Sequence, residues 1–577
     1  MRLHQILVAG LVAVATADGA PGRATLSELI PNQAAVCLEL YEPARLLDPL
    51  LAPAFAERLA SLPGYANVTS SAKFQELLAG VRYMESVALT NWQGVTRKLT
   101  RGGVALAVGA GNRSLLALDG DDPALLEKLH SMARQIAVSE AEKQGQTERV
   151  RSAEYAGITG WSFNGKEAHA IVGNRLLLAS DVEVLKMALD LRNGDGSSLA
   201  SRADYAAARK AVGSGAAGMV FVDLNQVRQA PGFLSGLDAH NQNPLLALLL
   251  ASVPANLKTA PWLAVGIYLE RQDLLLRAFV GGDSAASGTV AFARPAAGAP
   301  GILPCLEVPR GIAALSLYRD LAGFYAAKDE LFPQRTSGLI FFENMMGIFF
   351  SGRNLTDEVL AQTQPQLRLV VARQEYDPAI GTPEPQWPAF ALVLGLRDAK
   401  AFGDVMEEAW QKALGLVNFT RGQKALPGLI LDRADHRGTP ITVAAFSAKD
   451  APDRDHLDQR YNFRPSLVLA HGHAVLSSTD QLARDVVEAL GKARQTAAEA
   501  SHTLLQFSGP ELAAILKANR PTLVRGDMVK KGKSQAEAEQ GIDMLCAFIG
   551  WADRATLKLG QGGGQQAAEL RLSFRTL

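Results

Sequence analysis

The chain has 577 residues, enough for two or more domains with substantial cores. Lysine plus arginine equals aspartate plus glutamate at 58 each, so no net field draws the protein to polyanions, and nucleic acid is excluded as an expected partner. Three cysteines, Cys37, Cys305 and Cys546, are too few and of the wrong parity for a disulfide framework.

The N-terminus carries Arg2, an apolar run over 6–14 and the small residues Ala15, Thr16 and Ala17, the layout of a secretory signal peptide spanning 1–17. That run is too short to cross a bilayer, and no later stretch reaches the roughly 18 apolar residues a span needs. The mature chain is therefore expected in the periplasm or outside the cell, with no integral membrane segment after signal cleavage. The Ala/Gly/Leu-rich composition points to a bacterial source.

Beyond the leader, motifs of the first half recur in order in the second. IPNQAAVCLELY at 30–41 matches VPRGIAALSLY at 308–318, and LALDGDDPALLEKL matches LVLGLRDAKAFGDVM. GNRLLLASD at 173–181 matches GHAVLSSTD at 472–480, and both halves end in a long hairpin. A repeat this long is a tandem domain duplication and not a solenoid. Copy 1 is assigned to 26–283 and copy 2 to 305–577, joined by an Ala/Gly/Pro-rich linker at 284–304.

Within each copy, apolar strands meet at Gly-containing turns, as in AHAIV-GN-RLLLAS, and helical patterns follow. Ser180 with Glu183 suggests a capping box before Val182, Leu185 and Leu189 at helical spacing. The fold class expected is α+β: two tandem copies of a mostly antiparallel sheet with helices packed on one face. Asp119, Asp121, Asp122 and Asp223 stand at strand ends before helices, where carboxylates serve as caps.

Copy 2 departs from copy 1 in two places. Its first hairpin is enlarged to a Pro-rich loop at 372–388, in which Tyr376 and Trp387 offer large amphipathic surfaces for a contact. LIFFENMMGIFF at 339–350 is more apolar than its counterpart FQELLAGVRYME, so Phe341 and Phe342 become candidates for an apolar groove or interface.

Chemistry-bearing motifs are few. His471 and His473 have the alternating spacing that puts two imidazoles on one strand face, with Asp450, Asp453, Asp455, His456 and Asp458 in sequence reach. A zinc site needs three or four ligands and nothing fixes the others, so no metal and no cofactor is expected. The stretch 526–532 has five residues between glycines where a phosphate loop needs four, and no G-x-S-x-G elbow occurs.

The segment IPNQAAVCLELYEPARLL, echoed by VPRGIAALSLYRDLAGF, resembles the helix–Pro–strand–helix pattern of large exported bacterial proteins of unknown function, of planctomycete type. The resemblance implies an extracytoplasmic α+β protein and brings no functional residues. The function expected is a non-enzymatic binding or scaffold protein of the periplasm or cell envelope. It would hold an envelope protein or ligand in the cleft between copies or on the Tyr376–Trp387 loop. The alternatives are an exported hydrolase with a site assembled from dispersed residues, and a carrier of lipid or another apolar ligand on 339–350.

Overall fold

Alternating aliphatic side chains put residues i and i+2 on one face of a strand, and glycines with positive φ close the hairpins between strands. The computed structural model describes residues 25–240, 243–250, 252–282, 288–296, 298–450, 457–493, 497, 501–562 and 565–575. The expected signal peptide, part of the linker, and Asp453, Asp455 and His456 lie outside the described residues. The chain divides into two compact units. The first holds the chain to Leu234 and again Leu257–Asp283; the second holds Ser235–Asn256 and Ser284–Arg575.

Unit 1 contains β1 (Val36–Leu40), β2 (Gly103–Val108), β3 (Ser114–Asp119), β4 (Arg151–Tyr155), β5 (Ile158–Ser162), β6 (Ala168–Val172), β7 (Arg175–Ala179), β8 (Gly218–Asp223), β9 (Trp262–Glu270) and β10 (Asp273–Val280). Their order is β10-β9-β8-β1-β2-β3-β7-β6-β5-β4, antiparallel at every step.

Unit 2 contains β11 (Gly311–Tyr318), β12 (Thr363–Ala372), β13 (Ala389–Leu396), β14 (Ile430–His436), β15 (Thr439–Ala445), β16 (Ser466–Ala470), β17 (His473–Ser477), β18 (Ser501–Ser508), β19 (Ala552–Gly562) and β20 (Gln565–Phe574). Their order is β20-β19-β18-β11-β12-β13-β17-β16-β15-β14, again antiparallel throughout. Each strand of unit 2 thus takes the place of the strand numbered ten lower in unit 1.

The two-residue turn after β6 uses Gly173 at φ +64, and the turn after β16 uses His471 at φ +51 with Gly472 at φ +76. In the turn after β16, positive φ at both central positions is the I′ hairpin geometry, which glycine adopts without a Cβ clash.

After each of these hairpins a helix packs on the sheet. In unit 1 it is Val182–Arg192, whose Val184, Leu185, Ala188 and Leu189 meet Ala117, Ala170 and Leu177. Its cap falls one residue later than the sequence suggests. The Asp181 carboxylate accepts from Glu183 N (3.0 Å) and Val184 N (3.1 Å), while Ser180 Oγ accepts from Ser114 N. In unit 2 it is Asp480–Lys492, capped by Thr479, with Leu482, Val486 and Leu490 against Val393, Val468 and Val475. Each such buried side chain stabilises the packing by about 1.5–3 kcal/mol.

The opposite face of the unit 2 sheet is also covered. Phe402 and Met406 of the helix Ala399–Gly422 meet Ala474, and Ala474 points away from its neighbour Val475. Asp122 and Asp223 cap helices as expected, accepting from Leu125 N (2.9 Å) and Gln226 N (3.1 Å). Asp119 does not. It is buried, and Arg175 pairs with it at 3.1 Å. Among the described residues, no helix is long and apolar enough to cross a membrane.

Candidate functional site

The loop 372–388 is built around the fully buried Asn462. Asn462 Oδ1 accepts from the Tyr376 hydroxyl (2.7 Å) and from Trp387 N–H (2.9 Å), and its Nδ2 donates to Pro385 O and Gln459 O. Gln374 Nε2 donates to Trp387 O (2.8 Å) and Asn462 O (3.0 Å). Asn519 clamps the backbone of Gln386 from both sides, accepting from its N–H and donating to its carbonyl, each at 2.8 Å. Glu384 pairs with Arg525. Tyr376 therefore turns its hydroxyl inward, where burial raises its pKa, and only the Trp387 ring, 48% exposed, is offered to solvent. The sequence pointed to the two aromatics but carried no signal for Asn462 or Asn519, whose partners lie far away along the chain.

Phe341 and Phe342 lie on the helix Thr336–Phe349, none of whose residues is buried. Leu339, Met346 and Phe350 anchor it against Tyr325, Leu355 and Phe402. Its other side holds Ile340, Phe341, Phe342 and Ile348 in solvent, with Phe341 69% and Ile348 70% exposed. The helix carries one charge, Glu343, which pairs with Lys328 at 3.3 Å. A second uncharged helix in the same unit, Pro244–Leu250, exposes Leu245, Leu246, Leu249 and Leu250.

Both helices are tied to one short stretch after β11. Arg319, fully buried, donates from Nε to Leu248 O (2.5 Å) and from Nη2 to Leu249 O (2.7 Å), the orphan carbonyls at the helix end. Its remaining donors reach Ala293 O, Tyr318 O, His502 O and Thr503 Oγ1. Six residues on, the Tyr325 ring lies 6.2 Å from that of Phe342. Phe324 stacks between Phe292 (4.9 Å) and Phe332 (6.0 Å), leading into the exposed helix. Arg319 thus holds the end of Pro244–Leu250, and Tyr325 holds the helix Thr336–Phe349.

The two candidate histidines do not share a strand face. His471 stands exposed in the turn, whereas His473 is buried at the start of β17. A guanidinium only donates, so His473 Nε2 accepts from Arg368 Nη2 at 2.9 Å and its Nδ1–H donates to His471 O at 2.7 Å. Burial lowers its pKa, and the neutral ring has no lone pair left for a metal. Among the described residues, no group of three His, Cys, Asp or Glu could hold a metal ion.

A different imidazole pair went unread in the sequence. His130, on the helix Pro123–Lys143, and His169, on β6, place their Nε2 atoms 3.1 Å apart. Phe163 packs edge-on to His169 at 4.5 Å, and Arg134 lies 5.0 Å over the Trp161 ring beside them. Burial pushes His169 down to about 4 and lowers His130 as well. One imidazole donates and the other accepts. Their separation of 39 positions left no local motif.

The fold and these sites define an α+β protein with antiparallel sheets and an exposed apolar helical surface. Residues 109–304 match a family model described as a protein of unknown function, DUF3352. No curated protein matches the chain. Crystal form III of TP0453 is 12% identical with a TM-score of 0.23, covering 47% of this chain and 84% of that one. Crystal form I of TP0453 is 11% identical with a TM-score of 0.24, covering 47% and 83%. Likeness at this level decides neither fold nor function.

Proposed function

We propose that this is an exported, non-enzymatic binding protein of the bacterial cell envelope that seats its apolar helices on the acyl region of a lipid surface. The shared strand order supports reading the chain as two tandem copies, with the second copy specialised for contact. One observation carries the lipid reading: Ile340, Phe341 and Ile348 project from an otherwise docked helix whose outward residues carry no charge. Pro244–Leu250 adds four more exposed leucines without a charge. Large exposed apolar groups mark contact sites, and an uncharged set matches a neutral bilayer better than the polar, Arg-rich rim of a protein partner.

The test is flotation of the mature chain with phosphatidylcholine vesicles. Binding is expected to persist at high salt, because no ion pairs contribute. F341D/I348D should lower the partition coefficient at least tenfold without unfolding the protein. Salt-sensitive binding, or equal binding by the variant, would refute the reading. Vesicle-independent capture of one envelope protein through Trp387 would favour the scaffold alternative instead.

A further inference from the structure

Among the described residues of unit 2, Arg319 and Arg368 are the arginines below 2% exposure, and they are treated in opposite ways. Arg319 has acceptors at Nε, Nη1 and Nη2, supplied by five carbonyls and a hydroxyl. Arg368, 1% exposed at the middle of β12, has one acceptor, His473 Nε2, and its Nε and Nη1 are buried with no hydrogen-bond partner. Saturation by carbonyls lets a buried guanidinium persist without a counter-charge. Arg368 has neither carbonyls nor a counter-charge.

Its surroundings explain why no protein group neutralises it. Across the sheet it faces Ser316 on β11 and Val393 on β13. The Ser316 hydroxyl donates to Leu303 O at 2.6 Å. The strap that holds Leu303 and Leu306, both buried, brings the Cys305 thiol near, but burial pushes that thiol up to about 12, so it stays neutral. His473 is neutral because it accepts. Among the described residues no carboxylate pairs with Arg368, and burial pulls its pKa below the usual guanidinium value. A guanidinium does not lose its proton, and an unpaired buried charge is strongly destabilising.

We propose that Arg368 is the receptor for one small monovalent anion of halide size, held at its free N–H groups beneath the 303–306 strap. A buried guanidinium with two unpartnered donor nitrogens calls for a charge and not merely a dipole. In unit 1 the equivalent sheet position opposes Glu39 to Ala105, so no arginine stands there.

Bromide is the probe. Crystals of the full chain grown in bromide should show an anomalous peak within hydrogen-bonding reach of the Arg368 guanidinium. The melting transition should rise by roughly 2–4 °C on moving from gluconate to bromide at equal ionic strength. R368M should lose both. Ordered water in place of an anomalous peak in the wild-type protein would overturn the proposal without any variant. So would a peak with no bromide-dependent melting shift, the mark of an adventitious ion only.

Discussion

The two units thread ten strands in one order yet place opposite chemistry at the same central position. In unit 1 the motif LELY of β1 buries Glu39, which accepts from the hydroxyls of Tyr41 (3.3 Å) and Tyr205. In unit 2 the matching LSLY of β11 puts Ser316 there, and the neighbouring strand supplies Arg368 where unit 1 has Ala105. An acid satisfied from within has been exchanged for a base that is not. Strand order follows from alternation and turn chemistry, which both units keep; the polar interior is free to change sign provided its hydrogen bonds or its charge are met some other way.

The sharpest way to break the comparison is Arg319→Met. Unit 1 has no counterpart of this anchor, so the substitution should leave the unfolding of unit 1 unchanged. In unit 2 it orphans the carbonyls of Leu248, Leu249, Ala293, Tyr318 and His502. A loss of about 3–5 kcal/mol is expected in the denaturant transition reported by unit 2. Protection from exchange should vanish first in Pro244–Leu250, and a single shared shift in both units would contradict the assignment.

Acid separates the units differently. His169 is held down to about 4 by burial, so between pH 6.5 and 4 the unfolded chain binds the proton and the folded unit 1 does not. Stability therefore falls as pH is lowered through that window, by roughly 3 kcal/mol for the full shift. His130 across the 3.1 Å contact, and Glu167 4.0 Å from His169 Nδ1, are the titratable groups facing it. His169→Phe should flatten the unit 1 profile. Unit 2 should keep its own acid sensitivity, because burial holds His502 at about 3. Equal flattening in both units would show that the histidine pair is not the cause.

Asn462→Ala tests the enlarged loop. It strips acceptors from Tyr376 and Trp387 and donors from Pro385 and Gln459, and should destabilise unit 2 by about 2 kcal/mol. Limited proteolysis should then cut within 374–387, while the same loop should resist in the parent. Unit 1 turns the corresponding hairpin through Gly109–Arg113 with no such hub, its Gly109 N–H donating to Arg113 O. An equally resistant loop in the variant would mean that Asn519 alone suffices.

What the sequence made legible is local. Period-two aliphatic runs became β6, β7, β16 and β17, and Gly173 and Gly472 close the hairpins where the turns were read. Asp122 and Asp223 are caps because the partner N–H lies three residues away. Arg319, Asn462, Arg368 and the His130–His169 pair were invisible, since each acts on groups tens to hundreds of residues off and nothing in its neighbours announces it. The spacing of His471 and His473 misled for a related reason. Alternation puts two residues on one face only while the strand lasts, and here His471 already stands in the turn. The placement of Ser235–Asn256 in unit 2 likewise depends on a tertiary contact, the grip of Arg319 on two carbonyls.

The smallest expected effect on stability decides the function. Phe402 and Phe341 are both phenylalanines on unit 2 helices, but Phe402 is buried against Ala474 and Leu396 while Phe341 faces solvent. Phe402→Ala should cost about 3–5 kcal/mol through lost contacts and a cavity. Phe341→Asp removes no buried contact and adds a charge on an exposed helix, so stability should move by no more than about 0.5 kcal/mol. The two phenylalanines therefore separate folding from contact, since only one of them has buried neighbours to lose. Lipid partitioning should then fall in F341D while the melting profile stays put; a folding defect comparable to that of F402A would instead make the helix part of the core and remove the reason for proposing a contact face at all.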